Sequence, residues 1–204
     1  GPDILFVHLM EPHAFAERYI HSLVELFKAL NVKRHCRVSG MYNAVPHTRP
    51  LRVTGPPSVE KLGAVAGLIT PRQGGSYQGP TSIMNSMTEE LEKLGIENIS
   101  FMVHLPHYLG LEEDYAGTAR LMEVLCALYN LPPHLVDAER GERQYREVSA
   151  DVEGDAQGKA MLKRLEEYYD AQQPAAPPPR QDIPDLSPNI ERFLNEIGQQ
   201  LEDT

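Results

Sequence analysis

Along the first two thirds of the chain, short continuous runs of apolar residues alternate with stretches in which apolar residues recur every three or four positions. Residues 4–7 form a continuous apolar run, which is typical of a strand buried on both faces of a sheet. The helical spacing that follows predicts an amphipathic helix with one apolar stripe: Phe15, Tyr19, Leu23, Phe27 and Leu30. A second strand is predicted over residues 35–42, before a long connection rich in Gly and Pro.

The same alternation continues after this connection. Residues 81–94 are predicted to form a helix, because Thr81 can cap its start and Gly95 lies just past its end. A third strand is predicted up to residue 105, and Asp114 can cap the next helix. Such alternation is typical of an α/β fold. We therefore predict that residues 3–9, 35–42 and 97–105 are parallel strands of one sheet with helices on both faces.

The pattern changes after residue 138, which we take as the end of an α/β domain over residues 1–138. Residues 139–173 are charged and acidic with helical spacing, and residues 174–186 form a proline-rich linker. Residues 187–204 predict an amphipathic helix whose apolar stripe must pack on some surface: Ile190, Phe193, Leu194, Ile197 and Leu201.

Composition excludes several classes of protein. There are 19 Lys and Arg against 29 Asp and Glu, a net charge of −10, which argues against non-specific nucleic-acid binding. No apolar run approaches the roughly 18 residues of a membrane span, and no signal peptide opens the chain. The two cysteines, Cys36 and Cys126, form no zinc-finger or disulfide pattern, and we expect both to be reduced and non-catalytic. These features predict a cytoplasmic protein without a membrane partner.

The basic residues are unevenly distributed. Between Glu25 and Glu60 the sequence has no acidic residue but six basic ones: Lys28, Lys33, Arg34, Arg37, Arg49 and Arg52. This stretch is either solvated surface or an electropositive patch that faces an anion or the acidic tail.

Candidate chemistry lies where the predicted strands end. Each is followed by a Pro-His pair, at His13, His47 and His107, and the carboxyl ends of parallel strands meet at one edge of a sheet. Imidazoles there could bind a metal or exchange protons, but loops after strands favour proline in any case. No acidic partner is set by spacing and no nucleotide-binding loop is present, so we assign no catalytic residue, metal or cofactor.

Two further segments belong at this edge by topology. Arg49 follows His47, and residues 77–81 lead into a helix start whose free N–H groups favour an anion. The alternative is ordinary turn-and-cap chemistry. The candidate ligand-binding set is His47, Thr48, Arg49, Tyr77, Gly79, Thr81, His107 and Tyr108.

Three of these segments, in this order, resemble the PAC2 family, which is named for the eukaryotic proteasome assembly chaperone 2. They are Val-Pro-His-Thr-Arg-Pro at 45–50, Tyr-Gln-Gly-Pro-Thr at 77–81 and Val-His-Leu-Pro-His-Tyr at 103–108. The resemblance covers residues 3–170. It implies a three-layer α/β/α domain with a mostly parallel sheet, similar to nucleoside phosphorylases and peptidyl hydrolases, plus a C-terminal helical extension. Family members carry further strands before the segment at 3–9, so we expect part of the domain to be missing from this sequence.

For function, the resemblance implies a protein-interaction or assembly-chaperone-like homo-oligomer, with a trimer favoured. The alternative, drawn from the candidate set, is a hydrolase, ligase or phosphorylase-like enzyme that acts on a small anionic substrate at the carboxyl edge of the sheet. We favour the non-enzymatic interpretation.

Overall fold

The computed structural model describes residues 3–57, 62–63, 65–72 and 82–172. Contacts divide the chain into two units, Gly1–Glu166 and Glu167–Thr204. Of the second unit, the described residues are 167–172, and everything below concerns the first. The elements follow in chain order: α1 Ala16–Ala29, β1 Arg34–Asn43, β2 Val53–Gly55, β3 Thr70–Pro71, α2 Ile83–Lys93, β4 Glu97–Pro106, α3 Tyr115–Tyr129, a 3-10 turn Pro133–Leu135, α4 Ala138–Glu153 and α5 Ala156–Ala171.

The four strands form one mostly parallel sheet in the order β1-β4-β2-β3. β1 and β4 run parallel over ten residues, from Arg34 opposite Glu97 to Asn43 opposite Pro106. β2 runs antiparallel to β4 and parallel to β3. The parallel strands predicted over 35–42 and 97–105 are therefore confirmed, and the short antiparallel β2 is an addition that the sequence pattern did not reveal.

The prediction of a strand over residues 3–9 is wrong. Residues 3–12 have no regular structure, and the side chain of Phe6 is 72% exposed. An apolar run becomes a buried strand only beside a neighbouring strand. Here the segment packs against helices instead of a strand. Leu9 packs against the cluster between α1 and α2, and Glu11 accepts a hydrogen bond from the backbone N–H of Ile83 at 2.9 Å.

One of the two core clusters of the described residues lies against a face of β4, and the other lies between α1 and α2. On one face, Ile99, Phe101 and Val103 are buried in a cluster with Val124 of α3. The opposite face carries the half-buried Asn98, Ser100, Met102 and His104. α2 lies on this side of the sheet, where Asn85 accepts a hydrogen bond from Arg37 of β1 at 2.8 Å. Together these contacts make an α/β fold with helices flanking the sheet.

Helix ends follow local chemistry. Asp114 caps α3, as predicted, by accepting the N–H of Gly117 at 2.7 Å, and Gly95 follows α2 with φ +72°. The cap of α2 is Ser82, whose hydroxyl accepts the N–H of Met84. Residue 81, predicted for this role, lies outside the described residues, as do the predicted linker and terminal helix. None of the described helices combines the length and apolar character needed to cross a membrane.

Candidate functional site

His47 is a buried polar residue just beyond the end of β1, with 5% of its surface exposed. Its Nδ1 lies 2.6 Å from the hydroxyl of Tyr108, and its Nε2 lies 2.9 Å from Oγ of Ser149. The backbone N–H of His47 also donates to the Tyr108 hydroxyl at 3.0 Å. We call His47, Tyr108, Ser149 and the carbonyl of Tyr145 the His47 network.

Topology explains why Tyr108 lies beside His47. β1 and β4 are parallel and end in register, at Asn43 and Pro106, so the segments that follow them leave the same edge of the sheet. The N–H of His107 donates to the carbonyl of Asn43 at 3.2 Å and extends this pairing by one step.

Ser149 comes from α4, which reaches the site because it packs very closely on α3. A Cβ on Gly141 would lie 2.7 Å from the Cα of Ala116, so only a glycine permits this distance between the two backbones. The tyrosine one turn before Ser149 adds to the contact: Tyr145 stands edge-on to the His47 ring and donates to Oδ2 of Asp114 at 2.8 Å. Asp114 thereby joins the start of α3 to α4.

The partners of His47 assign its tautomer. Ser149 donates its hydroxyl hydrogen to the carbonyl of Tyr145 at 2.9 Å, so its oxygen is free to accept from Nε2–H of His47. Nδ1 then accepts the hydroxyl hydrogen of Tyr108. Burial lowers the pKa of His47, although the nearby Glu166 carboxylate opposes this shift. His47 is therefore neutral in a network in which each of these hydrogens has an acceptor.

The basic and hydroxyl side chains after His47 meet a carboxylate of the same chain. Nη1 of Arg49 lies 3.1 Å from Oε1 of Glu166, and the Thr48 hydroxyl donates to the same oxygen at 2.5 Å. Glu166 lies on α5. The position predicted for the anionic group of a ligand is thus occupied by an internal ion pair.

A cavity of about 630 Å³ lies beside this network, between α3 and α4. Small residues of the two helices, Ala116, Ala119 and Gly141, form part of its wall, and His47 and Ser149 reach it. Arg120 lines it too, but the Arg120 guanidinium donates to the carbonyls of Leu51 and Leu68 and therefore ties down the loop around β2.

The structure brings together four of the eight predicted site residues: His47, Thr48, Arg49 and Tyr108. His107 is exposed, and its Nδ1 lies 3.0 Å from the carbonyl of Asn43, outside the His47 network. Tyr77, Gly79 and Thr81 lie outside the described residues. In the ranges that the structure describes, no group of three His, Cys, Asp or Glu side chains is arranged to hold a metal ion.

Sequence reasoning missed Tyr145, Ser149 and Glu166. Tyr145 and Ser149 are four residues apart, which places them on one face of α4, and this spacing was the available signal. Glu166 carries no comparable signal, because acidic residues are frequent in that segment.

Comparison with known proteins gives a family match. The sequence model of the PAC2 family matches residues 1–153. No curated protein matches the chain significantly.

Solved structures give similar folds. An unknown-function protein of Mycobacterium tuberculosis is 27% identical with a TM-score of 0.69, over 79% of this chain and 54% of that one. A protein of unknown function from Corynebacterium glutamicum is 21% identical with a TM-score of 0.66, over 79% and 59%. A proteasome-assembly chaperone homologue of Mycobacterium tuberculosis is 22% identical with a TM-score of 0.60, over 74% and 63%. The chain spans less than two thirds of each of these proteins.

Proposed function

We propose that this chain, which belongs to the PAC2 family, is an interaction protein of the assembly-chaperone type that acts as a homo-oligomer. The family and the similarity to a structure described as a proteasome-assembly chaperone homologue support this role. The observation that carries it is the side of β1 on which no strand of the described residues lies, together with the exposed apolar side chains of this strand. The contact surface is proposed to be this edge.

β1 has a neighbouring strand on one side within the described ranges, and that neighbour is β4. The N–H groups of Glu97 and His107 donate to the carbonyls of Lys33 and Asn43, which are ten residues apart. In a parallel ladder the bonding residues alternate, so the odd-numbered residues of β1 bond to β4. The even-numbered residues, from Arg34 to Tyr42, then direct their N–H and C=O groups to the open side. Such an edge is a template for pairing with another chain.

On the face of the sheet that α3 packs against, the side chains at the open edge of β1 are apolar. Val38 is 45% exposed and Tyr42 is 58% exposed, with Gly40 between them. α3 lies over β4 and leaves this strip of β1 uncovered. Proteins usually protect a long edge with charges, prolines or a covering element, and a strip of this kind marks a site of protein contact.

A second copy of the chain is the proposed occupant. A trimer, which the family resemblance favours, requires the edge of each copy to contact a different surface of the next, in a ring that closes. Two edges paired about a two-fold axis would give a dimer instead. The mass of the oligomer in solution distinguishes the two arrangements.

The test uses size-exclusion chromatography with light scattering on V38K and Y42K. Because both side chains are exposed, lysine should leave folding intact while a charge enters the contact, and we expect the wild-type oligomer to dissociate to monomers. L135K is the matched control, since Leu135 is exposed to a similar degree, at 44%, outside the sheet. A monomeric wild type at tens of micromolar, or an oligomer that both variants retain, would contradict the proposal.

One observation favours the enzyme alternative: Nε2 of His47 lies 2.9 Å from a serine hydroxyl beside a cavity. A histidine base next to a serine is the start of a hydrolytic site. The hydrogen bond from Ser149 to the Tyr145 carbonyl opposes this, because the proton that a base must remove is held by another acceptor. Hydrolysis of small esters by the wild type, lost in S149A with folding retained, would support the alternative.

A further inference from the structure

We propose that Arg37, Ser100 and Arg72, on the face of the sheet opposite α3, bind the phosphate group of a small-molecule ligand. The site is separate from the His47 network and from the open edge, and the proposal does not depend on the proposed function.

The two arginines flank one serine at the centre of the sheet. Arg37 on β1 is the register partner of Ser100 on β4, so the two side chains point from the same face about 5 Å apart at their backbones. On the other side of Ser100, β2 has already ended at Gly55. Arg72 takes that space: its N–H donates to the carbonyl of Gly55 at 3.0 Å, and its Nη2 donates to the Ser100 hydroxyl at 3.4 Å.

Among the described residues, no carboxylate forms an ion pair with either guanidinium. The ion pairs of the described residues use other arginines, namely Arg34, Arg49, Arg120 and Arg146. Arg37 donates to the neutral amide of Asn85 at 2.8 Å. The Glu11 charge acts to raise the pKa of Arg37 against the lowering effect of burial, but the two groups form no ion pair, because the two oxygens of Glu11 accept from the N–H of Ile83 and the hydroxyl of Ser82 at the start of α2.

Two like charges that lie close together, with Arg37 partly buried and Arg72 exposed, repel each other unless an anion joins them. Burial lowers the pKa of Arg37, and the charge of Arg72 lowers it further. The same surroundings lower the pKa of His104, two pleats along β4 on this face, through burial and through Arg52 and Arg72. The binding of an anion would offset the electrostatic repulsion among these positively charged groups.

The arrangement of donors favours phosphate over carboxylate. Guanidinium groups approach from two strands on opposite sides of Ser100, and two unit charges match a phosphate dianion better than one carboxylate. A further hydroxyl is close by: Oγ of Ser39, two residues from Arg37 on the same face, is buried with no hydrogen-bond partner in the described part of the chain. Donors from several directions suit a tetrahedral oxyanion.

Inorganic phosphate is the probe. We expect it to raise the melting temperature of the full chain above that in sodium chloride of equal ionic strength, and to bind in calorimetry. In R72Q and in R37Q the dissociation constant should rise about tenfold or more, because each variant loses a charge-assisted contact. R72K, which keeps the charge but loses the planar fork, should fall between R72Q and the wild type.

R143Q is the matched control, since Arg143 is an exposed arginine on α4 whose removal changes the net charge equally. It should bind phosphate as the wild type does. R72Q is the decisive variant if R37Q fails to fold, because Arg72 is exposed. The proposal is overturned if phosphate acts no more strongly than chloride, if citrate binds more tightly than phosphate, or if R72Q and R143Q bind equally well.

Discussion

At the scale of single residues, the molecule uses burial to keep titratable side chains neutral. Three histidines have a pKa that burial lowers: His35, His47 and His104. Their partners are neutral groups, the amide of Asn98 for His35 and hydroxyls for His47. The sequence identified His47 as notable but not as buried, because its neighbour Ser149 lies 102 residues away. Burial of a side chain by a segment far along the chain cannot be predicted from the residues next to it in the sequence.

We predict that acid destabilises the protein through these histidines. Their folded pKa values lie below the ordinary value of about 6.5, so the unfolded chain takes up protons first as the pH falls. The free energy of unfolding should therefore be constant above about pH 7 and should decrease from about pH 6.5 downward, until the lowered folded values are passed. Urea unfolding between pH 5 and 8 measures this.

H47N should reduce the slope, because one of the three contributions is removed. The variant is judged on the slope rather than on its stability at pH 7, since it also changes the His47 network. Stability that is equal or greater at pH 5.5 than at pH 7.5 would refute the prediction.

At the scale of elements, what the sequence predicted well was local. β4 follows from the consecutive apolar residues at its centre, Phe101, Met102 and Val103, and β1 follows from the alternation of predicted strands and helices. The cap of α3 and the end of α2 follow from Asp114 and Gly95. The strand prediction based on residues 4–7 was wrong because an apolar run indicates only that the residues avoid water. It does not indicate whether another strand lies beside them. The three-residue β2 was missed because such a strand is too short to show a period.

The sequence pattern did not predict the close contact between α3 and α4 either. This contact leads to a prediction about a substitution at Gly141. G141A should destabilise the protein by about 1–3 kcal/mol, because its methyl group would meet backbone atoms of Ala116 that cannot move independently of α3. Helix propensity alone would predict a gain of nearly 1 kcal/mol.

G158A in α5 is the control. A Cβ there would meet side-chain atoms, with Oδ2 of Asp155 nearest at 3.2 Å, which can shift. We expect it to be neutral or stabilising in urea unfolding. Equal effects of the two substitutions would show that the helix contact imposes no steric limit.

At the scale of the whole molecule, we propose that residues 187–204 form an amphipathic helix that follows the proline-rich residues 174–186. Five apolar side chains recur at helical spacing there: Ile190, Phe193, Leu194, Ile197 and Leu201. Each contributes roughly 1.5–3 kcal/mol when fully buried. An isolated helix of about 15 residues is marginal in water, so this one should be helical only where an apolar surface covers it.

Deleting residues 174–204 is therefore expected to lower the melting temperature or to dissociate the oligomer. A full-length variant with Phe193→Ser and Ile197→Ser retains the chain length and isolates the apolar stripe, and it should behave like the deletion. Thermal unfolding and light scattering provide both readouts. If the deletion leaves mass and melting temperature unchanged, the segment has no structural role in the homo-oligomer, and an external partner becomes its expected use.

The pairing of β1 with β4 has a consequence for folding during synthesis on the ribosome. Arg34 pairs with Glu97, 63 residues later in the chain. At a synthesis rate of about 5–20 residues per second, β1 waits about 3–13 s on the ribosome before β4 is made. During that interval the side of β1 that β4 later covers is unpaired as well as the open side. The nascent chain is then at its most vulnerable to pairing with a neighbour on the same messenger RNA, so slower translation between residues 43 and 97 should increase aggregation.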